Sequence, residues 1–262
     1  MLNVKKVSVA TLGAALLSLS VGGVAQAVTV VAPSSNTNAE GNDLSFDPFS
    51  RPSRLQQVYA ASEFSSLSGP LVISQIAFRP DSTQLPTTLP PLDLQISFST
   101  TTRGPDGLSP FFAQNTGANN TVVYNGSFTP STASTGSILG PKAFDINIPL
   151  QTAFTYNPAS GNLLVDIRDL TGGLSRFLAL DAQTTLGDSV SMVVNGTDPN
   201  GIAGAPITKG LVTQFTINAA PVPFEFSPTL GLVVVGAWGA FSHIKSKVQK
   251  SKISGSSFSN NQ

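Results

Sequence analysis

The sequence predicts an all-β chain: an antiparallel β-sandwich of jelly-roll type, with a signal peptide in front and a C-terminal transmembrane sorting helix behind. Three observations carry this expectation. Apolar residues alternate with polar ones in seven or more short runs, the period of a strand with one face buried and one solvated. Gly (23) and Pro (19), with Asn, Asp and Ser, punctuate those runs, as turns between strands require. The chain has 262 residues and no cysteine, so it exceeds an immunoglobulin module and lacks the Cys–Trp–Cys core of antibody-type domains.

Residues 1–27 read as a secretory signal peptide. Lys5 and Lys6 form a basic start, 7–24 are almost all apolar or small, and Ala25-Gln26-Ala27 offers small residues for cleavage after Ala27. The alternative is a retained N-terminal anchor. Residues 28–50 are polar and Asn-rich and read as a flexible segment, with one strand at 28–31. Residues 51–219 are the expected sandwich ectodomain. Its first stretch, 51–64, fits a strand or a short helix equally.

Clear alternation follows. Leu71, Ile73 and Ile76 fall on one face with an irregularity between them. Leu92, Leu94, Ile96 and Phe98 alternate cleanly. Residues 121–128 are strand-like, with a bulge expected at Gly126. Runs at 144–148, 162–167, 189–194 and 211–217 complete the set, the last with Leu211, Thr213, Phe215 and Ile217 on one face. Long loops at 80–91, 100–121 and 129–142 belong at the sandwich ends or over a sheet edge.

The zero formal charge conceals an asymmetry. Six of the 14 basic residues lie in the two ends, which leaves eight between Val28 and Val222 against 13 acids, a net of −5. Nucleic-acid binding needs a basic face, so that partner class is excluded. Cations and neutral sugars stay open.

Residues 220–228 form a Pro-rich hinge that carries Pro223-Phe224-Glu225, and 229–244 are apolar apart from Thr229, Ser242 and His243. A helix of about 19 residues over 226–244 rises close to 30 Å, enough to span a bilayer. Lys245, Lys247, Lys250 and Lys252, in the tail 245–262, supply a cytoplasmic stop. Pro223-Phe224-Glu225, the Gly-rich apolar helix and the basic end resemble the PEP-CTERM class of sorting signals. Val222-Pro-Phe-Glu-Phe-Ser-Pro-Thr-Leu-Gly-Leu232 followed by Gly236-Ala-Trp-Gly-Ala240 is similar to its PFE-CTERM variant, seen in photosynthetic Gram-negative bacteria. Phe224-Glu225 stands where the common form has Glu-Pro, and lysine replaces arginine. The resemblance implies recognition by exosortase, an integral-membrane cysteine transpeptidase, with processing near the triplet and release or transfer of the body. A permanent anchor is the alternative from the physics of the segment. The partners so implied are the Sec machinery, signal peptidase, an exosortase-like transpeptidase and the membrane, with extracellular polysaccharide as a ligand for the body.

The sequence assigns no catalytic residue. Its one histidine, His243, lies outside the body, so a Ser-His-Asp triad or histidine metal site is excluded there. A glycoside hydrolase needs only two carboxylates, and Glu63, Asp93, Asp145, Asp166 and Asp169 are candidates. Asp93, Asp145 and Asp166 sit between apolar neighbours and are expected to point outward into solvent. No cofactor or metal is expected, calcium at the oxygen-rich turns 103–107 and 198–201 being the one candidate; tight turns explain those stretches equally. Tyr59, Tyr124 and Tyr156 are candidate sugar platforms or core residues. The expected function is a non-enzymatic surface or extracellular-matrix protein. Carbohydrate binding in the exopolysaccharide layer is the alternative, and a carboxylate-based glycoside hydrolase a weaker one.

Overall fold

The computed structural model describes residues 27–138, 140–171 and 177–219, all within the first of the chain's two units, Met1–Ala220. The strands are β1 (Val28–Ala32), β2 (Asp43–Ser45), β3 (Ser53–Tyr59), β4 (Leu71–Phe78), β5 (Thr87–Thr88), β6 (Leu92–Thr101), β7 (Thr121–Phe128) and β8 (Ser131–Thr132). They continue with β9 (Ile146–Tyr156), β10 (Asn162–Asp169), β11 (Leu180–Thr184), β12 (Val190–Asn195), β13 (Ala205–Ile207), β14 (Lys209–Leu211) and β15 (Thr213–Ala219). Among the described residues the only helical pieces are short 3-10 turns, and no helix is long and apolar enough to cross a membrane. The expected span at 229–244 lies outside them.

The chain is all-β, and every strand pairing is antiparallel. One sheet has the order β1-β15-β4-β9 and the other β13-β12-β3-β10-β6-β7. A small sheet β14-β11-β2 and the pair β5-β8 complete the body. The two large sheets share one core. Tyr59 of β3 meets Phe215 of β15 edge-on at 5.0 Å, and Phe98 of β6 meets Phe154 of β9 at 5.7 Å.

The alternating runs do what their period dictates. Leu92, Leu94, Ile96 and Phe98 are buried in this core, as are Leu71, Ile73 and Ile76, with the register of β4 against β9 shifting between Ile73 and Gln75. Leu211, Thr213, Phe215 and Ile217 are all buried, although the chain passes from β14 to β15 at Val212. The open question at 51–64 resolves as both alternatives in turn: strand β3, then a 3-10 turn over Ala61–Phe64.

Three expectations are corrected. Residues 28–50, read as flexible, are built into the body. β1 pairs with β15, β2 pairs with β11, and Phe49 is fully buried between Phe78 and Phe128, 5.7 Å from each ring. The bulge in β7 is not at Gly126, which stays paired with Leu94. The register slips where Ile96 faces Tyr124 and Ser97 faces Val122, so Val123 is the extra residue, and it is turned into the core. Asp166 does lie on the outer face of its sheet, but that face is covered. The loop between β6 and β7 lays Leu108 and Phe112 over Val58, Leu164 and Val193, leaving Asp166 only 8% exposed.

β1 and β15, the first and last described strands, lie side by side, with Val28 opposite Ile217. The chain therefore enters and leaves the body at one end. Segments 33–52 and 79–91 connect strands at the other end.

Candidate functional site

At that second end an open groove of about 470 Å³ runs beside β12 and β13. Its floor is apolar, from Met192 and Val194 of β12 and Ile207 of β13. Its wall is the segment around β2, which brings Asp43, Phe46 and Asp47 to the rim, with Arg51 following. Phe46 is 44% exposed and meets Phe177, itself 71% exposed, edge-on at 6.2 Å. Outward-facing aromatic rings beside paired charges give an amphipathic surface, apolar on its faces and polar at its rim.

The charges are held in place. Lys209 Nζ lies 2.8 Å from Asp43 Oδ2 and donates to the Leu44 carbonyl. Partial burial works to raise the Asp43 pKa, but hydrogen bonds from Lys209, Thr184 Oγ1 and the Leu44 N–H outweigh it and hold the carboxyl below its ordinary value. Arg51 Nε lies 3.3 Å from Asp47 Oδ1. The Arg51, Asp43 and Lys209 side chains stay 55%, 35% and 24% exposed, and Asp47 only 11%.

Four of the five carboxylates considered for glycoside hydrolysis accept hydrogen bonds from the surrounding fold. Asp166 accepts from Arg54 Nη2 at 2.7 Å and from Gln56 Nε2 at 2.8 Å. Asp169 is buried, and its Oδ1 accepts from the Thr171 N–H. Asp145 Oδ2 takes Thr132 Oγ1 and the Ala133 N–H, and Glu63 accepts from the Ser34 N–H. Asp93 is exposed, and its N–H donates to Thr171 Oγ1. None of the five lines the groove.

The tyrosines stand mostly inside. Tyr59 and Tyr156 are buried, which pushes both hydroxyl pKa values up, and they donate or share hydrogen bonds with Thr213 and the Gly161 carbonyl. Tyr124 is half-buried and donates to the Ser127 carbonyl. The exposed ring lining the groove is Phe46, a phenylalanine and not one of the three tyrosines. Its signal in the sequence was Leu44-Ser45-Phe46-Asp47 inside an otherwise polar stretch.

The two turns considered for calcium spend their oxygens on their own geometry. Asp198 Oδ1 accepts from the Asn200 N–H, and the Asp198 carbonyl accepts from the Gly201 N–H. Asp106, at φ 57°, accepts from the Gly187 N–H. Among the described residues no group of three or more His, Cys, Asp or Glu side chains is placed to hold a metal.

Ala27 is exposed just before β1. Ala25, Pro223, Phe224, Glu225, Lys245, Lys247, Lys250 and Lys252 lie outside the described residues. Compared with protein-family models, curated proteins and solved structures, the chain matches none.

Proposed function

We propose that this chain is an exported cell-surface or extracellular-matrix protein with a non-enzymatic, adhesive β-body. Export follows from the leader ending at Ala25-Gln26-Ala27, and sorting from the PEP-CTERM-like signal at Pro223-Phe224-Glu225 with its exosortase-like processing enzyme. The body is a jelly roll. Eight of its strands run β1-β15-β4-β9 and β3-β10-β6-β7, with β12 and β13 added beyond β3, an order that fits two Greek keys. Fold likeness alone assigns no activity.

The observation that carries the functional reading is the antiparallel pairing of β1 with β15. It sets Val28, the first residue of β1, opposite Ile217 of β15 at one end of the body, while the groove lies among the strand connections at the other.

The groove favours carbohydrate as its partner, because Phe46 offers an apolar ring face beside Asp43, Asp47, Arg51 and Lys209. Such a mix suits a sugar, which has apolar C–H faces and a rim of hydroxyls. A glycan array probed with the surface form of the protein tests this. Binding that disappears in Phe46→Ala, with an unchanged melting temperature, supports the reading. Silence of the native protein across neutral and acidic glycans counts against it.

A further inference from the structure

A second hollow, of about 380 Å³, lies at the same end of the body. It is walled by Arg79, which directly follows β4, and by Lys142 and Phe144, which precede β9. Both cations are deeply set: Arg79 is 1% exposed and Lys142 7%. Their situations differ.

Arg79 is anchored from behind. Its Nε lies 2.6 Å from Asp181 Oδ2, its Nη2 donates to the Ala39 carbonyl at 2.5 Å, and its guanidinium carbon sits 5.0 Å from the Phe144 ring centroid. Nη1 makes no hydrogen bond among the described residues. Lys142 has neither an ion pair nor a hydrogen bond for its ammonium among them. Lys142 lines the hollow beside the held guanidinium, and an ammonium without a protein partner there is available to an anion from outside.

The neighbouring acids do not supply one. Asp181 is spent on Arg79 and the Gly41 N–H. Asp81 Oδ1 takes the N–H and Oγ1 of Thr83, and Glu40 Oε1 takes the Ser82 N–H. None of these three lines the hollow. The rest of the wall includes Thr37, Asn38 and Thr135, neutral groups that can donate to and accept from hydroxyls.

We propose that this hollow binds the anionic group of an acidic polysaccharide, with Lys142 Nζ and Arg79 Nη1 donating to the anionic oxygens. The proposal rests on the surface reading above and narrows its ligand from sugars in general to charged ones. Backbone geometry supports a formed site. Gly136 lies in its wall at φ +131° and bridges to Lys142; a Cβ there would come within 3.0 Å of the Pro141 carbonyl and 3.1 Å of Lys142 Cα. The loop can close on Lys142 only with glycine at 136.

The test is calorimetric titration of the full-length chain in detergent micelles. The probes are a galacturonate trimer, the neutral galactose trimer, inorganic sulfate and inorganic phosphate. The expected result is binding of the galacturonate trimer and not of its neutral counterpart. Lys142→Gln weakens that binding about tenfold or more, as loss of a charge-assisted hydrogen bond should, while Lys142→Arg retains it. Gly136→Ala weakens it without removing a charge. Equal binding of both trimers, affinity unchanged in a normally melting Lys142→Gln, or binding of sulfate or phosphate without galacturonate each overturns the proposal, as does failure of all four probes. Such a failure leaves the export reading standing, since that is decided by the mass of the surface form.

Discussion

Arg79 and Asp181 form a fully buried ion pair, 1% and 0% exposed. Desolvation of two charges is costly, and the pair is tolerated because further bonds from the Gly41 N–H to Asp181 and from Arg79 to the Ala39 carbonyl complete it. Gly41 is required for this, since a Cβ there would lie 2.1 Å from the Ala182 carbonyl oxygen. Removing one partner strands the other. Arg79→Met is expected to destabilise the body by about 3–5 kcal/mol, read from denaturant melts. A loss near zero would mean that Asp181 takes up a proton or reaches water. Glu40 gives a pH-dependent counterpart. Burial first, and then the nearby Asp181 charge, raise its carboxyl above the ordinary 4.5, and its Oε2 has no hydrogen-bond partner. A folded-state pKa above the unfolded one means the folded chain holds this proton more tightly. Stability from this group is therefore greatest below pH 4.5 and falls as pH rises through the folded value. Glu40→Gln is expected to remove that fall, so the melting temperature of the variant gains on the native protein between pH 4 and pH 8. A gap that is constant with pH would contradict the assignment.

Among the elements, long strands such as β6 were readable because mainly their inward faces meet the core. β6 and β15 follow the two-residue period, and nothing else has to be known to place them. β2, β13 and β14, at three residues each, are too short for a period to register, and their existence depends on pairing with β11 and β12. The covered outer face around Asp166 was illegible for another reason. Its lid, Leu108 and Phe112, comes from a loop some 50 residues away in sequence, and only tertiary contact turns Arg54, Gln56, Asn115 and Asp166 into a closed hydrogen-bonded set. Phe112→Ala should open this lid. The expected cost is about 3–5 kcal/mol, with hydrogen exchange accelerated most over 102–117 and least in β1 and β15. Uniform acceleration through both large sheets would show that the lid belongs to the main core and is not a separate layer.

At the scale of the whole molecule, the sequence spoke about delivery and the structure about presentation. The proposed leader, the triplet Pro223-Phe224-Glu225 and the lysine cluster are readings of local composition. The groove and the hollow could not, because Phe46 with Ile207, and Arg79 with Lys142, are joined only by the crossing of strands between sheets. Together they describe a body whose first and last described strands lie side by side and whose two recesses lie among its strand connections. That account requires the body to reach the cell surface through its two signals. Intact-mass spectrometry of the surface form tests it most directly. The account predicts a mature chain that begins at Val28 and ends near Pro223-Phe224-Glu225, with full-length protein retained in the membrane when Phe224 and Glu225 are both changed to alanine. A surface form that still carries Trp238 and the four lysines would contradict processing and make the tail a permanent anchor.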